Sequence, residues 1–260
     1  MPEDFSKYNG EGTMLRKVQL RMLDILIEFD RICRKYDIPY WLEGGTLLGA
    51  VRHKGYIPWD DDLDICMERK DLRRLKTILK KELSEKYIYQ DRFNDFNLPT
   101  VISKIREKGS IIKEEGSERL KYPGLFLDII PVEKVFSFKV KNFLDYCYGH
   151  CVRSIHNRQK SLFDKMLSYL LYLPSLCLVS IVRLVSKFVP TSSIGHLYGF
   201  RSYDLVDKND IYPLVEIEFE GHYFKCPFNS DKYLTCLFGD YMQVPPVENR
   251  MVHTTEIVFY

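Results

Sequence analysis

At 260 residues, with 45% hydrophobic and 28% charged side chains, the chain is long enough to bury a substantial core. A net charge of +2 gives no electrostatic case for nucleic acid, and no recognition motif or basic–aromatic interleave supports one. Seven cysteines, an odd count without a disulfide framework, and an N-terminus lacking the layout of a signal peptide point to a reducing cytoplasm, including the inner face of a membrane.

Residues 13–36 carry an apolar stripe at helical spacing (Leu15, Val18, Met22, Ile25, Leu26, Phe29, Ile32), which predicts a helix ending before Pro39. Tyr40-Trp41-Leu42 reads as a short strand. Gly44 and Gly45 follow, then Thr46-Leu47-Leu48-Gly49-Ala50-Val51 reads as helical. A strand, two glycines and a helix start aim backbone N–H groups and a positive dipole end at an anion. Thr46 suits either a helix cap or a hydroxyl donor to phosphate. Arg52, His53 and Lys54 then supply basic charge for a diphosphate.

The run Pro58-Trp59-Asp60-Asp61-Asp62-Leu63-Asp64-Ile65 comes next. Asp62 and Asp64 alternate with Leu63 and Ile65, the pattern of a strand entering a sheet, so the two carboxylates share a face. Together they can bracket a divalent cation whose remaining ligands are waters and substrate phosphates. Glycine turn, basic triplet and aspartates form the parts list of metal-assisted phosphoryl transfer.

A helix from Arg69 to about Lys86 is expected next, then strands near 87–90, 100–105, 110–113 and 125–130. Lys104 and Arg106, at i and i+2 of a strand pattern, share a face suited to phosphate. From Val140 to Pro190 the chain turns helical and poor in acids, and residues 166–182 carry no charge. With basic flanks and Pro174 midway, that segment fits three readings: a buried helical core, an interfacial membrane helix or a span. Tyr233 to Pro246 reads as a helix into a Gly239-Asp240 turn with a Pro-Pro stop.

The run from Tyr40 to Ile65 resembles the LicD family of phosphotransferases, relatives of fukutin within the nucleotidyltransferase superfamily. The resemblance extends to Lys104-Ile105-Arg106, to the block from Gly124 to Pro131, and to the block from Tyr233 to Pro246. It implies an α/β (α+β) fold, a nucleotidyltransferase-like mixed sheet flanked by helices. With the change of composition, this divides the chain into a nucleotidyltransferase-like catalytic core over 1–139, a helical insertion over 140–200 that one of the three readings places at a membrane interface, and a C-terminal segment, 201–260, completing the core.

The resemblance also implies Mg²⁺ (or Mn²⁺) held by Asp62, Asp64 and Asp128, with Asp60 as a nearby ligand. Asp128, the third carboxylate, suits a general base toward the acceptor hydroxyl. The donor it implies is CDP-choline, or CDP-glycerol or CDP-ribitol with the same chemistry, and the acceptor a glycan, lipid-linked in one version. Trp41, Tyr56, Trp59 and Tyr122 are rings near the motifs that fit a trimethylammonium cage or simply the core. The reading from another class is a non-catalytic glycan-binding protein on a degenerate version of the fold.

Overall fold

A computed structural model describes residues 5–113, 119–157, 159–200, 205–250 and 256–260; the first four residues of the acidic N-terminal stretch lie outside that range. The elements in chain order are α1 (Ser6–Asn9), α2 (Met14–Lys35), β1 (Trp41–Leu42), α3 (Gly44–His53), β2 (Asp64–Glu68), α4 (Arg69–Glu82), β3 (Tyr87–Gln90), β4 (Ser103–Glu107), β5 (Ser110–Ile112) and β6 (Phe126–Lys134). They continue with α5 (Phe138–His156), α6 (Leu162–Phe188), β7 (Ser193–His196), β8 (Val206–Asp207), α7 (Lys208–Ile211), β9 (Val215–Phe219), β10 (His222–Cys226), α8 (Ser230–Phe238) and β11 (Ile257–Phe259).

The central sheet has the order β1-β2-β6-β4-β3, with β7 pairing the far end of β6 and β8 pairing β7. Strands β2 and β6 run parallel while the other pairings are antiparallel, so the sheet is mixed, as the sequence predicts. Leu63, Ile65, Met67, Leu127 and Ile129 are buried and seat the middle of the sheet. Helix α2 starts at Thr13, whose hydroxyl accepts the Arg16 N–H at 3.2 Å, and its predicted stripe packs into the same core.

Several boundaries differ from the sequence reading: β6 runs on to Lys134, past the expected 130, α8 begins at Ser230 rather than Tyr233, and α4 and β4 shift as well. Helix α4 stops at Glu82 rather than near Lys86. There Leu83 turns extended and Ser84 N–H donates to Glu28 at 3.1 Å, which frees Tyr87–Gln90 to pair with β4. Strand β4 starts at Ser103 and runs to Glu107, later than the expected 100–105, yet Lys104 and Arg106 keep their shared face.

The helical stretch forms a hairpin of α5 and α6. A second apolar cluster (Val135, Leu144, Tyr148, Val152, Val179, Tyr198) seals it against the end of β6.

Candidate active site

Register builds the site. Asp64, the first residue of β2, lies directly opposite Asp128 on β6, and Asp128 lies opposite Lys104 on β4. Paired residues point to the same side of a sheet, so two carboxylates and an ammonium form a row across three adjacent strands. Lys104 Nζ sits 2.5 Å from Asp128 Oδ1 and 3.5 Å from the centroid of the Phe126 ring. Burial pulls the Lys104 ammonium below its usual range, although Asp128 opposes that shift.

The glycine turn grips the same strand. Asp64 N–H donates to the Thr46 hydroxyl at 2.9 Å, and Glu43 N–H donates to Asp64 O at 3.1 Å. Gly44 adopts φ +50°, a left-handed conformation, and a side chain there would approach the Asp64 carboxylate at 3.8 Å. A side chain at Gly45 would stand 2.8 Å from Asp60 Oδ2. Gly44 is thus required by its backbone conformation, and Gly45 lets the Asp60 carboxylate crowd the first turn of α3. Its leading N–H groups have no intrahelical acceptor, which makes them an anion cradle beside the acids.

The carboxylates are short of counter-charge. Burial raises the Asp64 carboxyl well above the usual range, and the charges of Asp128 and then Asp62 push it further; Lys104 only partly offsets them. An all-oxygen, acid-rich donor set at the mouth of an amide cradle fits a hard divalent cation such as Mg²⁺. Among the described residues the group that brings three ligand atoms within 4.8 Å of one another is a different one, Glu43, Cys66 and His196. Its mixed oxygen, sulfur and nitrogen donors do not suit Mg²⁺.

That second group belongs to a buried polar network beneath the glycine turn. Tyr233 Oη donates to Glu43 Oε2, Trp41 Nε1 donates to Tyr233 Oη at 3.2 Å, and His196 Nε2 lies 3.3 Å from Glu43 Oε1. Burial works against the Glu43 carboxylate, but His196 and Tyr233 more than offset it and hold the group below its usual range. Gln19, buried on α2, donates to Asp60 O at 2.8 Å and fixes the other flank of the loop. The sequence reading missed Glu43, His196, Tyr233 and Gln19. Glu43 had a signal, a carboxylate wedged between Leu42 and Gly44; the others had none.

Several predicted residues lie elsewhere. Arg52 and His53 end α3, about 12 Å along the helix axis from Gly44. Arg52 donates to His53 Nε2 at 2.9 Å and to Tyr241 O at 2.9 Å. Burial and then the Arg52 charge pull the His53 imidazole down to about 4. Arg106 shares the Lys104 face, but its guanidinium donates to Gln90 at 2.8 Å and to Gly124 O at 2.7 Å beneath the surface. Trp41, Tyr56 and Trp59 are core residues.

With this geometry established, comparison with known proteins is decisive. A family model described as "LicD/FKTN/FKRP, nucleotidyltransferase domain" matches residues 37–154, the interval that holds Asp62, Asp64, Lys104 and Asp128. The chain is 30% identical over 253 residues, 92% of its length, to the "Lipopolysaccharide cholinephosphotransferase LicD" of Haemophilus influenzae, of which it covers 95%. The chain belongs to the LicD family. Shorter matches within the LicD relatives include an uncharacterised Rickettsia prowazekii protein, 34% identical over 139 residues and 51% of each chain. The human "Ribitol 5-phosphate transferase FKRP" is 54% identical over 35 residues, 14% of this chain and 7% of that protein. As a LicD member the protein is an enzyme, a transferase.

Proposed function

We propose that this phosphotransferase moves phosphocholine from CDP-choline to a sugar hydroxyl of a cell-surface glycan, lipopolysaccharide or capsule, with Mg²⁺ (or Mn²⁺) as cofactor. The observation that carries this reading is the Asp64–Asp128–Lys104 row beside an amide cradle. It occurs in a chain similar over nearly its whole length to a cholinephosphotransferase.

Asp62 and Asp64, with Asp60 at the turn, would hold the cation, which would supply positive charge to the donor diphosphate and to the departing CMP. The N–H groups of Gly44, Gly45 and Thr46 orient phosphate oxygens through the helix N-terminus. Asp128 accepts the proton of the acceptor hydroxyl as its oxygen bonds to the choline-bearing phosphorus and the bond to CMP breaks. Lys104 orients Asp128 through their ion pair and places a positive charge beside the incoming phosphate.

The FKRP match favours a second reading with CDP-ribitol as donor. Thermal-shift titration with CDP-choline, CDP-ribitol, CDP-glycerol and CMP, each in Mg²⁺ and in EDTA, separates the two. The expected result is a Mg²⁺-dependent rise in Tm largest for CDP-choline, equivalent to about 2.7 kcal/mol at a hundredfold excess over Kd. A larger rise with CDP-ribitol replaces the donor; no rise with any CDP compound removes the assignment.

A further inference from the structure

Helix α6 is sorted the wrong way round for water. The side chains it buries are Ser168, Ser175, Val179 and Ser186, spaced so that they share one face. Its large apolar residues point outward: Phe163 is 73% exposed, Leu170 72%, Leu173 65%, Ile181 58%, Leu184 55% and Phe188 80%. At 3.6 residues per turn these six fall within an arc of about 80°, opposite the buried serines. A helix on a water-facing surface shows the reverse, apolar inward and polar outward. Small and hydroxyl residues toward protein with large apolar ones away is the arrangement of a helix facing lipid.

Helix α6 is also the one helix among the described residues long and apolar enough to cross a bilayer. Its most apolar window has a mean hydropathy of 1.7 and is only 17% buried, so a buried soluble core does not account for it. A span does not either. Arg183 clamps the helix to β6 through two hydrogen bonds to Glu133, at 2.7 and 2.8 Å. Val179 inserts in the second core beside Tyr148 and Val152 of α5. A helix held along its length by the catalytic domain lies across a membrane surface rather than through it.

Charge selects the surface. Between Phe138 and Pro190 the sequence carries eight lysines and arginines against two aspartates. Residues 166–182 carry none, and Lys165 and Lys187 flank the apolar stretch. Basic residues bordering an apolar helix face complement anionic headgroups around a shallowly buried face.

We propose that the outward face of α6 docks the enzyme on an anionic lipid bilayer, parallel to the membrane plane. Glu133 lies five residues beyond Asp128 on β6, roughly 17 Å at strand rise. An acceptor sugar carried on a lipid therefore approaches the site from the end of β6 at which α6 is anchored, a consequence that rests on the transferase reading; the docking itself does not.

Flotation of the full chain with phosphatidylcholine vesicles, with and without phosphatidylglycerol, tests the docking. The wild type is expected to float with the anionic vesicles, less so at high salt. The double variant Leu170→Glu, Leu173→Glu is expected to lose at least about tenfold in partitioning. Tyr223→Glu, on the β9–β10 hairpin, is expected to float as the wild type does. Circular dichroism shows whether the double variant folds. If it does not, Leu170→Trp supplies the reading through a blue shift of emission on adding anionic vesicles, against the buried Trp41 and Trp59. Three results overturn the proposal: wild type that ignores anionic vesicles, no blue shift, or a wild-type dimer in buffer that the glutamates dissociate, which assigns the face to a second copy of the chain.

Discussion

Asp64 is held where a carboxylate is least comfortable, half-buried, opposite Asp128 and close to Asp62. Its raised pKa means the folded protein binds a proton there that the unfolded chain releases. Stability from this group is therefore present at low pH and lost as pH rises from the unfolded value of 3.8 toward the raised folded one. Asp64→Asn removes the penalty without changing shape. In EDTA at neutral pH its Tm is expected to exceed that of the wild type, and the gain to vanish near pH 4. Differential scanning calorimetry at the two pH values measures this; an unchanged or lower Tm at neutral pH contradicts the electrostatic account. The alternation of Asp62 and Asp64 with Leu63 and Ile65 is a local property and points to a strand here; in the structure β2 opens at Asp64, and Asp62 lies just ahead of it. The identity of Asp64's partner was not legible, since Asp128 reaches it through tertiary register. Arg106 teaches the complementary lesson: alternation placed it on the Lys104 face, but its hydrogen bonds to Gln90 and Gly124 depend on neighbours that no spacing reveals.

Among the elements, α5 carries a buried ion pair of its own that ties it to the segment after β7. Lys141 Nζ contacts Asp145 at 2.5 Å, with side-chain exposures of 0% and 6%. Asp145 also accepts the Gly199 N–H at 2.9 Å, and Lys141 donates to Phe200 O at 3.2 Å, so the pair fastens the segment after β7. Burial moves both groups toward neutrality, lowering Lys141 and raising Asp145. Asp145→Leu alone is expected to cost about 3–5 kcal/mol by stranding a buried ammonium, whereas Lys141→Met with Asp145→Leu recovers most of it. Urea unfolding of the wild type and the two variants checks this, and a double variant as unstable as the single one refutes it. Most helices were legible at this scale, α2 because its stripe runs unbroken from Val18 to Ile32. The outward face of α6 was not: an uncharged run shows that a helix is apolar, while only packing shows which side the protein covers.

For the molecule as a whole, the glycine turn and the aspartates are separate in sequence from Lys104 and Asp128, and the sheet order β1-β2-β6-β4 brings them into one row. The mixed α/β architecture could be read from alternating helix and strand patterns. The network under the turn could not, because Glu43 meets His196 and Tyr233 across separations of 153 and 190 residues. The central claim is that Asp62 and Asp64, with Asp60 at the turn, would hold a divalent cation that serves a CDP-linked donor, beside the Asp128–Lys104 pair. Electron paramagnetic resonance of Mn²⁺ tests it most directly, since the free ion's signal falls as protein binds it. The account predicts that wild type depletes free Mn²⁺, more so with CDP-choline present, and that Asp64→Asn does neither. Equal depletion by Asp64→Asn, or none by wild type with CDP-choline, would contradict it.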